Sequence, residues 1–221
     1  MDRVSVEEME ELERLMVEKY RVSSEVLMEL AGERIADVIR ERFSGNLKIA
    51  FICGKGGNGG DGFVAARRLE SYGYDVQAYT PFEEKELSRL TGRKMKSYNE
   101  VGEMSIDFPS ANVYVDALLG YRMEGELREP VSETVEKLND WSTNTVSIDV
   151  PTGLNVRERE VVENSVRPEL TICIGVLKHG MTENNSGDIV LVDVGIPVEA
   201  FEELDLERPR FDGSRFYEID K

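Results

Sequence analysis

The chain has 221 residues, and its content of 40% hydrophobic and 32% charged residues, with 19 Gly and 7 Pro, excludes a collagen-like or wholly disordered protein. The formal net charge of −17 argues against nucleic acid as a partner, because such binding needs a basic field. No segment approaches the roughly 18 to 20 apolar residues of a membrane span, so no membrane association is expected. This length predicts a single domain over residues 1–221.

The N-terminal part, about residues 5–43, predicts two helices. The first covers residues 5–20, where Ser5 and Glu8 have the spacing of a capping box. The second helix has Ser24 as its predicted cap, and its apolar residues recur at helical intervals. Both helices are therefore expected to pack one face on the rest of the protein.

Short apolar strands alternate with helices over a core of about residues 47–197. The first strand is a continuous apolar run at residues 49–53, and a helix with Phe63 at its start follows a glycine-rich loop. Further strands are predicted at residues 74–79, 113–115, 145–148, 170–174 and 189–192, and helices at 83–98 and 131–138. This alternation predicts an α/β fold, a three-layer αβα sandwich with a Rossmann-like, mainly parallel sheet. The sequence leaves open whether the tail, residues 198–221, docks on this core.

The two cysteines, Cys53 and Cys173, each lie in an apolar strand. Such placement favours buried thiols over a disulfide or a metal site. Together with an N-terminus that lacks the basic and apolar regions of a signal peptide, this predicts a cytoplasmic protein.

A glycine-rich loop follows the first strand, with six glycines within residues 54–62. Glycines at this position let main-chain amides approach a ligand at the start of a helix. The loop matches the dinucleotide pattern G-x-G-x-x-G only weakly, and the end of the second strand, at Tyr79 and Thr80, lacks the acidic residue that would hold a ribose. An ordinary nicotinamide oxidoreductase is therefore disfavoured, and a flexible turn with Asp61 as a helix cap is the structural alternative.

Two aspartates end later strands of the predicted sheet. Asp116 follows the strand at residues 113–115, and Asp149 follows the strand at residues 145–148. One such aspartate could simply cap the next turn. Two of them, together with a glycine-rich loop at a third strand, favour a shared site at the carboxyl ends of the strands.

These three loops carry a resemblance to a known family. Residues 56–62, 115–120 and 148–153 resemble the signature loops of the NAD(P)H-hydrate epimerase family, also called YjeF N-terminal domains. Residues 27–32 and 187–197 are similar to two further segments of the family. The resemblance extends over roughly residues 5–200 in the family's order.

The resemblance implies an isomerase of coenzyme repair. Members interconvert the R and S epimers of NADHX and NADPHX, which are hydrated at C6 of the nicotinamide ring, so that a separate dehydratase can restore the coenzyme. A homodimer is implied as well. The alternative is a non-catalytic nucleotide-binding or scaffold domain of the same fold.

The resemblance also implies which residues form the site. Ligand contacts map to the glycine-rich loop and to the loop after the second motif, namely Gly57, Asn58, Gly59, Gly60, Asp61, Gly120, Tyr121, Arg122, Met123, Glu124, Gly125 and Glu126. One potassium ion per subunit maps to Asn58, Asp116 and Thr152, whose oxygen atoms suit an alkali cation better than zinc. The hydrated ring maps to Asp149.

Inversion at C6 requires a carbon–oxygen or carbon–nitrogen bond to open and re-form, so a proton must move to and from a heteroatom. Asp149 is the candidate acid/base, and burial would supply the raised pKa that this role needs. Asp61 is the rival candidate, although a position at a helix start predicts a lowered pKa and a binding role. Lys178 is expected near the site, and His179 is expected at the surface.

Some positions depart from the family's pattern. Gly57 replaces an amide residue, and Glu124 and Glu126 would be unfavourable beside phosphates, which suggests that this part of the loop points elsewhere. Arg122 is interpreted as a solvated side chain, with a grip on a phosphate as the alternative.

Overall fold

The structure, a computed structural model, describes residues 2–141 and 144–219. The strands are β1 (Arg3–Val4), β2 (Lys48–Cys53), β3 (Asp75–Tyr79), β4 (Glu103–Met104), β5 (Val113–Ala117), β6 (Thr145–Ile148), β7 (Leu154–Asn155), β8 (Glu160–Val161), β9 (Leu170–Ile174), β10 (Leu177–Lys178), β11 (Asp188–Val192) and β12 (Phe216–Glu218). The helices are α1 (Val6–Glu18), α2 (Ser24–Arg42), α3 (Gly57–Ser71), α4 (Arg89–Asn99), α5 (Val131–Trp141), α6 (Glu183–Ser186) and α7 (Val198–Glu202).

Eight strands form the central sheet in the order β12-β11-β9-β6-β5-β2-β3-β4. Neighbouring strands are parallel, except that β12 runs antiparallel to β11. After β2 the chain adds β3 and β4 on one side, whereas β5, β6, β9 and β11 extend the sheet on the other side. The chain order therefore reverses between β2 and β5. In open parallel sheets, this switch point is where a crevice for ligands forms at the carboxyl ends of the strands.

Helices cover both faces of the sheet. On one face, Ile39 of α2, Phe63 of α3 and Tyr98 of α4 pack on strand residues such as Phe51 and Val115. On the other face, α5 packs over β2 and β5, and α1 and α7 pack over β9 and β11. The predicted three-layer α/β sandwich on a mainly parallel sheet is therefore confirmed.

The prediction that α3 begins at Phe63 is wrong. The helix begins at Gly57, with Gly56 as its N-cap, so residues 57–62 of the glycine-rich segment are helical. Glycine's low helix propensity predicted a loop here, but close packing outweighs that propensity. A side-chain carbon at Gly59 would lie 1.9 Å from the carbonyl oxygen of Gly54. The glycines therefore let the helix begin directly against the end of β2.

Other differences lie at helix starts. The N-cap of α2 is Ser23, whose side chain accepts the Val26 amide, so the prediction of Ser24 was wrong by one residue. Residues 83–98 are a short 3-10 turn followed by α4, with Ser88 as the N-cap of α4. The capping box of Ser5 and Glu8 on α1 is confirmed.

The tail docks on the core. Helix α7 buries Phe201, and β12 extends the central sheet beside β11. Cys53 and Cys173 are both buried and free, as expected, and burial raises the pKa of Cys173 to about 11. Within residues 2–141 and 144–219, no helix has the length and apolar character needed to cross a membrane.

Candidate functional site

Three loops meet at the switch point between β2 and β5. The Gly54 amide, just after β2, donates to the carbonyl of Ala117 at the end of β5 over 2.9 Å. A side-chain carbon at Gly54 would lie 1.8 Å from the Leu118 carbonyl oxygen, so only glycine allows the two loops to cross this closely. The strand β6 lies on the other side of β5, where Asp116 is level with Ser147. The loops after β2, β5 and β6 therefore share one edge of the sheet.

Asp149 directly follows β6 in a left-handed backbone conformation, with φ of 68°. Few residues other than glycine adopt this conformation, and aspartate is one of those that tolerate it. Its amide donates to the Ile172 carbonyl over 2.8 Å, which anchors the turn to β9. Its Oδ2 accepts the Tyr121 amide over 3.3 Å. The strained turn thus aims a carboxyl group that is only 6% exposed toward the loop after β5.

The Lys178 ammonium is the counter-ion of Asp149. It donates to Asp149 Oδ1 and, over 2.6 Å, to the Ile174 carbonyl, and the lysine side chain is fully buried. Burial opposes the positive charge, but the Asp149 carboxylate outweighs this effect and raises the pKa of Lys178 above its ordinary value. The burial expected for Asp149 is present, and it comes with a buried ion pair.

Asp116 is fully buried and satisfied by four donors. Its Oδ1 accepts the Thr152 hydroxyl over 2.7 Å and the Leu118 amide over 3.2 Å. Its Oδ2 accepts the Ser147 hydroxyl over 2.8 Å and the Thr152 amide over 2.9 Å. Burial raises the pKa of Asp116, although these hydrogen bonds oppose the shift. Asp116 therefore ties the loop after β5 to the loop after β6.

Asn58, in the first turn of α3, has an amide group without a partner among the residues that the structure describes. Both its Oδ1 and its Nδ2 are buried and make no hydrogen bond, and the residue is 9% exposed. Because a buried amide normally finds partners, these atoms indicate a group that the protein itself does not supply. The amide oxygen of Asn58, the carboxylate of Asp116 and the hydroxyl of Thr152 are hard oxygen donors, so this set fits an alkali cation.

Gly120 keeps the space between Asn58 and Asp149 open. A side-chain carbon at Gly120 would lie 3.3 Å from Asp149 Oδ2 and 3.5 Å from Asn58 Cβ. The three residues come from the segments that follow three different strands, β2, β5 and β6. Their proximity is the arrangement expected of a shared site.

A cavity of about 530 Å³ opens over these loops. This volume is in the range of small-molecule sites in proteins. Of the predicted ligand-contact residues, those that line it are Gly57, Asn58, Asp61, Gly120, Tyr121, Arg122, Met123 and Asp149. The predicted residues outside its wall are Gly59, Gly60, Glu124, Gly125 and Glu126. Asp116 and Thr152 lie behind the wall, where they support the loops.

Asp61 is the fifth residue of α3 and not the helix cap, so the alternative of a simple capping role is wrong. Its carboxyl group lines the cavity and makes no hydrogen bond to the residues that the structure describes. Burial raises the pKa of Asp61 well above its ordinary value, and the nearby charge of Asp149 raises it further. The lowered pKa expected from a helix start is therefore wrong, because Asp61 lies beyond the first four residues, where the unsatisfied amides are.

The loop after Gly120 divides into two parts. Tyr121 and Arg122 lie over the cavity, and Arg122 forms ion pairs with Glu10 over 2.8 Å and Glu13 over 2.7 Å. Arg122 is exposed, as expected of a solvated side chain. Its guanidinium also pairs with two carboxylates of α1. Glu124 points away and pairs with Arg157 over 2.8 Å.

Several cavity residues were not predicted from the sequence. Helix α1 contributes Met9, Glu13 and Met16, and α2 contributes Leu27 and Met28. Their apolar periodicity indicated only that one helix face is buried. Nothing in the periodicity distinguishes a face that packs on the core from one that lines a cavity. His179 is half-buried and lies 3.3 Å from the Arg159 guanidinium, away from the cavity wall.

The chain is similar in sequence to proteins whose names refer to NAD(P)H-hydrate repair. A protein of Dictyostelium discoideum named NAD(P)H-hydrate epimerase is 36% identical over 208 residues, which are 90% of this chain and 88% of that protein. A protein of Methanopyrus kandleri named bifunctional NAD(P)H-hydrate repair enzyme is 36% identical over 196 residues. That match covers 77% of this chain but only 37% of the relative.

The fold has a counterpart among solved structures. The crystal structure of a yeast protein, ynu0, superposes with a TM-score of 0.86 at 23% identity and covers 99% of this chain and 100% of that one. At this identity the likeness shows the fold alone. The family model described as YjeF-related protein N-terminus matches residues 24–180, which include all three loops of the site. The chain belongs to the YjeF-related protein N-terminus family.

Proposed function

We propose that this protein is an NAD(P)H-hydrate epimerase, an isomerase that interconverts the R and S epimers of NADHX and NADPHX. The observation that carries the proposal is a cavity lined by two aspartates that lie in different environments. Asp149 is paired with the Lys178 ammonium, whereas Asp61 has a raised pKa and no hydrogen-bond partner within residues 2–141 and 144–219. Two titratable groups that differ in this way can serve as the base and the acid of one reaction. The relative from Dictyostelium discoideum, which bears the name of this activity, supports the same assignment.

The reaction needs one proton removed and one supplied. In the hydrate, C6 carries a hydroxyl group and is bonded to the ring nitrogen. When the hydroxyl proton leaves, the carbon–nitrogen bond can open, its electron pair goes to the nitrogen, and the nitrogen takes up a proton. Rotation of the resulting aldehyde and closure on its other face, with both protons returned, yield the opposite epimer.

Asp149 takes the hydroxyl proton in this scheme, and Asp61 supplies the proton to the ring nitrogen. Lys178 orients the Asp149 carboxyl and balances its charge while the other oxygen faces the cavity. The raised pKa of Asp61 keeps a proton available at a higher pH than an ordinary aspartate would. The two groups exchange roles when the ring closes, so the protein is regenerated.

We further propose that Asn58, Asp116 and Thr152 hold one potassium ion per subunit. The unpartnered amide of Asn58 and the oxygen-only donor set support this proposal. When bound, the ion supplies positive charge beside a polyanionic substrate in a protein of net charge −17. The protein's own residues carry out the proton transfers.

A homodimer and a functional link to a separate dehydratase are part of the proposal. Val17 and Val26 on the two N-terminal helices are 38% and 49% exposed, which supports an interface at these helices. The name of the bifunctional relative, only 37% of which is matched, supports coupling to a second repair activity. Light scattering on the purified protein measures the dimer directly.

The decisive experiment incubates R-enriched hydrate with the protein and follows the epimer ratio by chromatography against the spontaneous rate. We expect an acceleration that saturates with substrate. An unchanged rate would support the scaffold alternative and contradict the enzyme. An oxidoreductase would change the nicotinamide absorbance only when a redox partner is added, so the two readouts separate the three functions.

A further inference from the structure

Lys55 stands out among the charged residues of the cavity. Two cations line the cavity, Lys55 and Arg122, and Glu10 and Glu13 already neutralise Arg122. Lys55 is exposed, and no carboxylate of residues 2–141 or 144–219 forms an ion pair with it. It is therefore the cavity-lining cation that remains available to a ligand.

The backbone of this lysine and of the residue after it is held in place. The Lys55 carbonyl accepts the Ser88 amide over 2.9 Å, and the carbonyl of the next residue, Gly56, accepts the Thr91 hydroxyl over 2.8 Å. The ammonium lies 5.2 Å from the centre of the Phe82 ring, at the rim of the cavity. The main chain is thus fixed while the side chain can turn toward a ligand.

The neighbourhood of Lys55 favours an anion. Lys55 immediately precedes the N-cap of α3, and the first amides of a helix lack acceptors within the helix. These amides carry partial positive charge, and the unpartnered amide group of Asn58 lies beside them. At the other cation of the cavity, Arg122, the carboxylates of Glu10 and Glu13 supply two negative charges against one positive charge, which disfavours phosphate there.

We infer that Lys55 binds the diphosphate of the dinucleotide substrate and so directs the uncharged nicotinamide end toward Asp149. The inference rests on the proposed function for the identity of the ligand. It assigns a binding role to a residue outside the segment of Gly57 to Asp61. The diphosphate is the natural partner because NADHX and NADPHX share it.

The test uses Lys55→Gln, with Lys55→Arg to restore the charge and Lys48→Gln as a matched control. Lys48 begins β2, whereas Lys55 follows its end, so the control removes one charge roughly 20 Å away. ADP-ribose, which carries the diphosphate without nicotinamide, is titrated by calorimetry at two salt concentrations. We expect Lys55→Gln to weaken binding about tenfold and to flatten its salt dependence, because a charge-assisted hydrogen bond is lost. Lys55→Arg and Lys48→Gln should bind nearly as the natural protein does.

Equal affinities for Lys55→Gln and Lys48→Gln would overturn the inference. A loss confined to 2′-phosphorylated ADP-ribose would also overturn it, because the lysine would then contact the 2′-phosphate. Binding of ADP-ribose does not depend on catalysis, so this result stands apart from the epimerase assay. An epimerase whose KM is unaffected by Lys55→Gln would contradict the role of Lys55 and leave the proposed function intact.

Discussion

The Lys178 ammonium contacts Asp149 Oδ1, and the two side chains are 0% and 8% exposed. Removing either partner of a buried ion pair leaves the other charge uncompensated in a medium of low dielectric constant. The pair therefore connects stability to activity at one point of the fold. Both stability and activity must therefore be measured for any substitution at Lys178 or Asp149.

Asp149→Asn should remove most of the epimerisation rate, by about 10²- to 10⁴-fold, because the proton acceptor for the C6 hydroxyl is lost. ADP-ribose should still bind, since its recognition does not use the carboxyl. Epimer ratios and calorimetry measure the two effects. Full activity in this variant would contradict the proton-transfer role of Asp149.

The same variant should lose stability, by about 3–5 kcal/mol, because Lys178 keeps its charge in a fully buried position. Asp149→Asn combined with Lys178→Met removes that charge and should recover much of the free energy of unfolding without recovering activity. Urea unfolding of the single and double variants measures the difference. A double variant as unstable as the single one would show that the ion pair is not the cause.

Asp61→Asn should make the protein more stable than the natural one as the pH rises. The pKa of Asp61 lies well above its ordinary value of 3.8, so folding favours its protonated form. Its contribution to stability is complete below about pH 3.8 and is lost as the pH rises through the raised pKa. Asparagine does not titrate, so the stability difference between variant and natural protein should grow with pH.

Unfolding in urea at several pH values from 5 to 8 tests whether this stability difference grows with pH. Epimerase activity of Asp61→Asn should fall, because asparagine cannot supply the proton. A stability difference that stays constant over this range would mean that the environment of Asp61 does not disfavour its charge.

Gly59→Ala should destabilise the protein by about 2 kcal/mol or more, because the added carbon would lie 1.9 Å from the Gly54 carbonyl oxygen. Gly57→Ala is the matched control in the same helix, since nothing lies within 4 Å of the added carbon there. The control should change the free energy of unfolding by at most about 1 kcal/mol, in the stabilising direction. Comparable losses of stability in both variants would indicate that these positions need glycine for its backbone conformation and not for the close contact of α3 with the end of β2.

Asn58→Leu tests the potassium site through stability alone. In lithium buffer the variant should be no less stable than the natural protein, because the substitution removes a buried amide that has no partner. In potassium buffer the natural protein should gain stability, by about 2.7 kcal/mol at one hundred times the dissociation constant, and the variant should not. Equal melting temperatures of the natural protein in both salts would contradict the site. Epimerase assays in the two salts should show weaker substrate binding in lithium.

The sequence predicted the order of strands and helices because its apolar runs are short and its helical periodicity is regular. It could not predict that Gly57 to Gly62 are helical. Glycine's intrinsic preference points to a loop, and the contact that overrides this preference joins Gly59 to Gly54 and is visible only in three dimensions. The short strands were missed because two or three residues are too few to show a period, namely β1, β4, β7, β8, β10 and β12.

The sequence predicts at which strand ends the candidate site residues lie, but it does not predict their electrostatic environment. The rule that ligands bind at strand ends predicted that Asn58, Asp116 and Asp149 lie at one edge of the sheet, and the structure places Asn58 and Asp149 on the cavity and Asp116 behind its wall. The raised pKa of Asp61 could not be predicted, since it depends on burial by distant segments and on the charge of Asp149. The contribution of α1 to the cavity depends on how that helix crosses the sheet.

The parallel pairing of β1 with β10 places Val4 beside Lys178. During synthesis β1 leaves the ribosome long before β10 exists. The strand that precedes α1 therefore stays unpaired until most of the chain has been made. Lys178 can therefore take its place opposite Asp149 only after β10 has been made. Extensions fused ahead of Arg3 would emerge next to that strand, and extensions at the other end would follow β12, which also lies in a sheet.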